Sequence, residues 1–348
     1  MATQSLAIKY RPKTWDDVTE QNEIRLILQQ QLADDEVKHG YLFCGPAGCG
    51  KTTAARIFAN EINKGQGQPI ELDAASNNSV DDIRRLIDQA QMIPLDCEYK
   101  VFILDEVHSL SNNAWQAFLK TLEEPPAKAI FIMCTTDPQK IPATILSRAQ
   151  RYNFQKISMD GIVDRLFYIL ESEGNERDID WEASAVDYIA KLAEGGMRDA
   201  ITLLDKCLSF STLLSLQNVV NALNVVDYNT MIKLTDLITS DKEADVITVI
   251  EDLYNSGKDL KQFIKSYVQF LLDCKKYFIG CDWKYISMPK IDTYVKWLED
   301  NKEEYYRGRI ADLLTELIYF SSDIKYSSTV KYDVEACLLR FIDNDRTN

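Results

Sequence analysis

Between residue 41 and about residue 155, short apolar runs alternate with amphipathic stretches, the pattern of a parallel sheet covered by helices. The runs predict strands at Tyr41–Cys44, Ile70–Leu72, Val101–Asp105, Ile130–Thr135 and Tyr152–Phe154, which together make a five-stranded core. Thr52 through Phe58 reads as a helix following the first strand. Past Phe154 the strand signal stops and apolar residues recur at helical spacing, with a break at Gly195-Gly196. Val246, Val249, Ile250 and Leu253 recur at i, i+3, i+4 and i+7, as do Ile310, Leu313, Leu314 and Leu317. Such stripes are read as core or subunit contacts. The expected organisation is an α/β nucleotide-binding core over 1–155, a small helical lid over 156–212 and an all-α domain over 213–348. No internal repeat or low-complexity tail interrupts this pattern.

Composition narrows the chemistry. A length of 348 residues with 46% hydrophobic content supports two or three cores. No apolar stretch reaches the roughly 18 residues of a membrane span and the N-terminus lacks a signal-peptide core, so a cytoplasmic location is expected. The eight cysteines never form C-x-x-C and read as reduced core or loop residues. With only His39 and His108, a zinc site of several imidazoles is excluded and Mg²⁺ is the metal to expect. A net charge of −15 argues against coating nucleic acid by bulk electrostatics, so any DNA contact must be local.

The sharpest chemical signal is Gly45-Pro46-Ala47-Gly48-Cys49-Gly50-Lys51-Thr52, a G-x-x-x-x-G-K-[ST] loop placed between a buried strand and a helix. The helix opens with free backbone N–H groups, through Thr53, that an anionic phosphate satisfies. Lys51 is expected to neutralise the β- and γ-phosphates of ATP, and Thr52 to place its hydroxyl on Mg²⁺. Val101-Phe102-Ile103-Leu104-Asp105-Glu106 puts two carboxylates at the tip of a buried strand, where parallel sheets bind ligands. Asp105 would hold Mg²⁺ through water, and Glu106 would polarise the attacking water. Thr136, at the end of the next strand, would hydrogen-bond that water or the γ-phosphate. Arg148 follows a short helical segment after Pro142, and Arg198 follows the paired glycines. Either is a plain surface residue unless the ATPase works through subunit contacts, where an arginine reaching a neighbour's γ-phosphate contributes about 10³–10⁵ in rate.

Taken in order, Lys9-Tyr10-Arg11-Pro12, the phosphate loop, Asp73-Ala74-Ala75-Ser76-Asn77-Asn78, Leu104-Asp105-Glu106-Val107-His108, Leu119 through Pro126, and Thr135-Thr136-Asp137-Pro138 through Ser147-Arg148 resemble one family. It is that of the gamma/tau ATPase subunits of bacterial DNA polymerase III sliding-clamp loaders, within the AAA+ class. The motifs cover about 1–210. The resemblance implies that Tyr10 and Arg11 lie near the adenine, that Thr136 is sensor 1, Arg148 a trans-acting arginine finger and Arg198 sensor 2. It implies a ring-like pentamer with a helical collar, partnered by companion subunits, a sliding clamp and primer–template DNA. ATP binding would open the clamp and grip DNA, and hydrolysis would release the closed clamp; no polymerase activity is expected of the chain itself. Members of the family usually carry a four-cysteine zinc module where this chain has Asn63 through Pro69, so no zinc is expected. Ala149 replaces the cysteine of the usual Ser-Arg-Cys. The chain ends at Asn348 without the extension of tau, which resembles the shorter, gamma-like form.

DNA contact is expected at helix N-termini facing the ring channel, which offer N–H groups and partial positive charge to phosphates without reading bases. Asn77, Asn78 and Ser79 open a helix near Val80, and Asn112 opens the one carrying Lys120, which would sense DNA and help release Glu106. Both segments also read as ordinary caps. Two other functions stay open from the sequence: an AAA+ helicase or branch-migration motor, and a structural clamp-loader subunit without turnover.

Overall fold

In a computed structural model, which describes residues 4–175, 178–224 and 226–345, the chain forms two units. Met1–Asp180 with Ile189–Thr212 make the first, and Trp181–Tyr188 with Leu213–Asn348 the second.

The first unit is built on five parallel strands, β1 (Gly40–Cys44), β2 (Ile70–Asp73), β3 (Lys100–Asp105), β4 (Ala129–Thr135) and β5 (Gln150–Asn153), in the order β2-β3-β4-β1-β5. Because side chains alternate along a strand, the three central strands β3, β4 and β1 feed two cores. Leu42, Phe102, Leu104, Phe131 and Met133 face one way, onto helices α4 (Val80–Gln91) and α5 (Asn112–Glu123). Tyr41, Phe43, Val101, Ile103, Ile130 and Ile132 face the other, onto α2 (Asn22–Ala33) and α3 (Lys51–Ile62). Apolar residues on both faces explain the continuous runs in the sequence. A short N-terminal helix α1 (Leu6–Lys9), a one-turn helix α6 (Ala143–Leu146), and the helices α7 (Met159–Gly174) and α9 (Met197–Phe210) complete this unit; α8 (Ala183–Leu192) crosses its boundary.

Against the expectation of helices alone past Phe154, two strands occur there, β6 (Asp180–Trp181) and β7 (Leu213–Leu214). Each is two residues long, too short for alternation to register. The rest of the second unit is helical, from α10 (Leu216–Leu223) to α16 (Val330–Asp345). Its core contains both predicted stripes, Val246-Val249-Ile250-Leu253 and Ile310-Leu313-Leu314-Leu317, all buried.

Candidate active site

The phosphate loop leaves β1 at Gly45, where a Cβ would lie 2.5 Å from the Phe154 carbonyl oxygen, so only glycine fits. It enters α3 through Gly50, the N-cap, at φ +100 with nothing within 4 Å of a would-be Cβ. A glycine is needed there for the left-handed backbone, and the space above it is open to a ligand. The first intrahelical bond runs from Ala54 N to Gly50 O, leaving the first-turn N–H groups for an anion. Lys51 is buried, its Nζ donating to the carbonyls of Gly45 and Pro46 at 2.9 and 2.8 Å. Neutral acceptors hold this ammonium, so a phosphate finds it uncompensated. Cys49 donates its Sγ–H to Pro46 O at 3.0 Å, and burial pushes its thiol above the ordinary value.

Sheet register assembles the rest. Leu104 of β3 pairs with Met133 of β4, which brings Asp105-Glu106 beside Thr135-Thr136. Thr52 Oγ1 donates to Asp105 Oδ2 at 2.8 Å, and Glu106 N donates to Asp105 Oδ1 at 3.0 Å. Glu106 takes a left-handed conformation, φ 48, and its Oε2 accepts from Thr136 Oγ1 at 2.9 Å. His108 Nδ1 lies 3.2 Å from both Glu106 Oε2 and Thr135 Oγ1. The role of His108 was not legible in the sequence; its place three residues beyond Asp105 was the only signal. A threonine hydroxyl and a carboxylate are hard oxygen donors of the kind Mg²⁺ takes alongside phosphates and water, so Thr52 and Asp105 fit that ion.

Lys51, Thr52, Asp105 and Glu106 open onto a cleft of about 200 Å³ that Tyr10, Arg11, Arg165 and Arg198 also line; Thr136 stands behind Glu106 and does not line it. Burial, followed by repulsion from Arg56 and Arg198, holds the Arg11 guanidinium below its ordinary value. A cleft whose cations repel one another favours a polyanion. The N-terminal segment carrying Tyr10 and Arg11 is fastened to α7 and α9. Leu6 N donates to Asp205 Oδ2 at 3.1 Å, Arg165 Nη2 to Tyr10 O at 3.0 Å, and the Tyr10 ring meets Tyr168 edge-on at 6.3 Å. Glu173, fully buried, accepts from Lys9 Nζ at 2.7 Å and from the Tyr10 hydroxyl at 2.8 Å. Met197 N donates to Gly48 O at 3.0 Å, tying the start of α9 to the phosphate loop.

Arg148 is not among the residues lining the cleft. Its Nη2 pairs with Glu123 at 2.7 Å and its Nη1 donates to Thr144 O and Ser147 Oγ at 2.7 and 3.0 Å. Ser79 caps α4 in a capping box with Asp82, and Ser111 caps α5. Ser111 N donates to Asn78 O at 3.2 Å, so the two helix openings stand side by side, while Asn77 is turned back onto Asp73 O at 3.0 Å. Asn112 and Lys120 are exposed; the side-chain partners of Glu106 are Thr136 and His108, not Lys120. Just past α4, Met92, Ile93 and Leu95 are 61, 81 and 100% exposed, an apolar patch without a distinguishing signal in the sequence.

Comparison with known proteins gives two matching family models: "DNA polymerase III, delta subunit" over residues 68–158, and "DNA polymerase III clamp loader subunit, ATPase lid domain" over 161–212. The DNA polymerase III subunit tau of Bacillus subtilis is 38% identical over 299 residues, covering 80% of this chain and 52% of that protein. The chain thus spans about half the length of that relative. The DNA polymerase III subunit gamma of Buchnera aphidicola from Acyrthosiphon pisum is 28% identical over 370 residues, covering 98% and 99%. Among solved structures, the Thermotoga maritima RuvB Holliday junction branch migration motor aligns at TM-score 0.50 and 19% identity, over 66% of this chain and 79% of that one. At that identity the likeness is one of fold.

Proposed function

The chain belongs to the gamma/tau family of DNA polymerase III clamp-loader subunits, and from that premise we propose that it is the ATP-hydrolysing subunit of a sliding-clamp loader. The observation that carries the reading is the joining of Lys51, Thr52 and Asp105 to Glu106 and Thr136 at the open end of one sheet. Lys51 exchanges its two carbonyl partners for the β- and γ-phosphates of ATP. Thr52 and Asp105 hold Mg²⁺, which supplies charge neutralisation at the phosphates. Glu106 orients and polarises the attacking water, and Thr136 fixes the carboxylate that does so. Arg198 adds charge from the start of α9, and Tyr10 and Arg11 border the base. Arg148, absent from its own cleft, serves the γ-phosphate of a neighbouring subunit.

Residues 1–155, 156–212 and 213–348 act as motor, lid and collar in a pentameric ring with companion subunits. ATP binding opens the clamp and admits primer–template DNA; hydrolysis releases the clamp closed around it. The adjoining openings of α4 and α5, with Asn78, Ser79, Asn112 and Lys120 accessible, support contact with DNA phosphates, and Asn77 would join them on leaving Asp73. With a net charge of −15, such local contacts are where DNA affinity must reside. The Met92-Ile93-Leu95 patch is assigned to the clamp.

The test is steady-state ATP hydrolysis by the reconstituted assembly with and without clamp and primed DNA. Synergistic stimulation, abolished by Glu106→Gln and by Arg148→Ala, is expected. Nucleotide binding without clamp- or DNA-dependent turnover would make the chain a structural subunit, and sustained unwinding of duplex DNA would make it a helicase.

A further inference from the structure

Helix α5 ends in Glu123, and the turn after α6 carries Arg148; the two side chains form the ion pair at 2.7 Å. Surface ion pairs of this kind usually hold an arginine weakly. Here the ion pair is reinforced, because Nη1 also donates to the Thr144 carbonyl and the Ser147 hydroxyl. An arginine presents its N–H donors as a fork to phosphate oxygens. The side chain remains 34% exposed, so a phosphate from outside this chain can reach it.

We propose that Glu123 is a positioning residue for hydrolysis. It holds Arg148 in the pose in which a neighbouring subunit's γ-phosphate meets it, so that little rotamer freedom remains to be lost in the transition state. The proposal rests on the reading of Arg148 as a trans-acting finger. It also gives α5 a second task. Lys120 stands one turn before Glu123, at the i, i+3 spacing of neighbours on a helix surface, and Asn112 opens the same helix. One rigid element therefore bears both the groups assigned to DNA and the residue that sets the finger.

The experiment compares Glu123→Ala, Glu123→Gln, Arg148→Ala and the Glu123→Ala/Arg148→Ala double variant in the full reconstituted assembly with clamp and primed DNA. Glu123→Ala is expected to lower kcat about three- to thirty-fold with KM for ATP unchanged, the range set by freeing one arginine side chain. Glu123→Gln keeps an acceptor oxygen at the same reach and is expected to retain most of the activity. In the Arg148→Ala background, Glu123→Ala is expected to add nothing. Unchanged kcat in Glu123→Ala, losses that multiply in the double variant, or a faster rate from a finger released rather than misplaced would each overturn the proposal. Full activity in Arg148→Ala would instead overturn the finger reading on which it rests.

Discussion

Replacing Glu173 by alanine tests how the nucleotide cleft is held together. Glu173 is fully buried at the end of α7 and accepts from Lys9 Nζ at 2.7 Å and the Tyr10 hydroxyl at 2.8 Å. A hydrogen bond to a charged group contributes about 1.5–3 kcal/mol. The Tyr10 bond is assigned that range, whereas the Lys9 side chain is 38% exposed and recovers water on losing its partner, so its share is cut to about 1 kcal/mol. The docking of residues 6–12 onto α7 and α9 should weaken by about 2–4 kcal/mol. Tyr10 and Arg11 leave the cleft wall when that segment undocks, and each 1.4 kcal/mol is tenfold in affinity. ATP affinity is therefore expected to fall at least tenfold, read by calorimetric titration of the full chain. Amide exchange should rise at residues 6–12 and stay unchanged in β1–β5. Glu173→Gln, which keeps an acceptor for Tyr10 and loses the charge facing Lys9, should fall between. Wild-type ATP affinity in Glu173→Ala, or exchange rising equally across the sheet, would refute the reasoning.

Changing Met92, Ile93 and Leu95 together to glutamate should leave basal ATP hydrolysis within about twofold and remove the clamp-dependent part, because these side chains touch solvent and not the core. The Ser79 hydroxyl and backbone N–H hold the Asp82 carboxyl below its ordinary value of 3.8. A depressed carboxyl stabilises the fold above its unfolded pKa, and that contribution is lost as pH falls through the lower folded value. Acidification below about pH 4 should thus fray the first turn of α4, seen as faster amide exchange at residues 80–83, and Asp82→Asn should show that fraying already at neutral pH. Burial raises the Cys49 and Cys134 thiols, so neither should react with iodoacetamide at pH 7.5 until the protein unfolds; rapid labelling of Cys49 would contradict the packed loop.

The sheet was legible because three of its strands, β1, β3 and β4, are buried on both faces and read as unbroken apolar runs, while β2 alternates Ile-Glu-Leu-Asp. Tyr41–Cys44 and Val101–Asp105 differ from β1 and β3 by one residue at the start. The fifth strand, expected at Tyr152–Phe154, runs over Gln150–Asn153 instead. As an edge strand it keeps polar Gln150, Arg151 and Asn153 around one buried tyrosine, which blurs the pattern. The phosphate loop and the Asp105-Glu106 tip were legible because each is local in sequence. Contacts between distant segments were not. Glu173 lies more than 160 residues from Tyr10, and Arg165 looks like any charge on an amphipathic helix until α7 is folded against the N-terminal segment. The exposed apolar triplet after α4 was hidden for the opposite reason, since apolar letters in a sequence read first as core.

The most direct test of the account is deposition of the sliding clamp on nicked or primed circular DNA by the reconstituted assembly, measured by gel filtration of labelled clamp with DNA. With ATP the account predicts clamps retained on circles and lost when the circle is linearised, while Lys51→Ala deposits none. Equal retention in the Lys51→Ala assembly, or no retention with wild type despite ATP turnover, would contradict it.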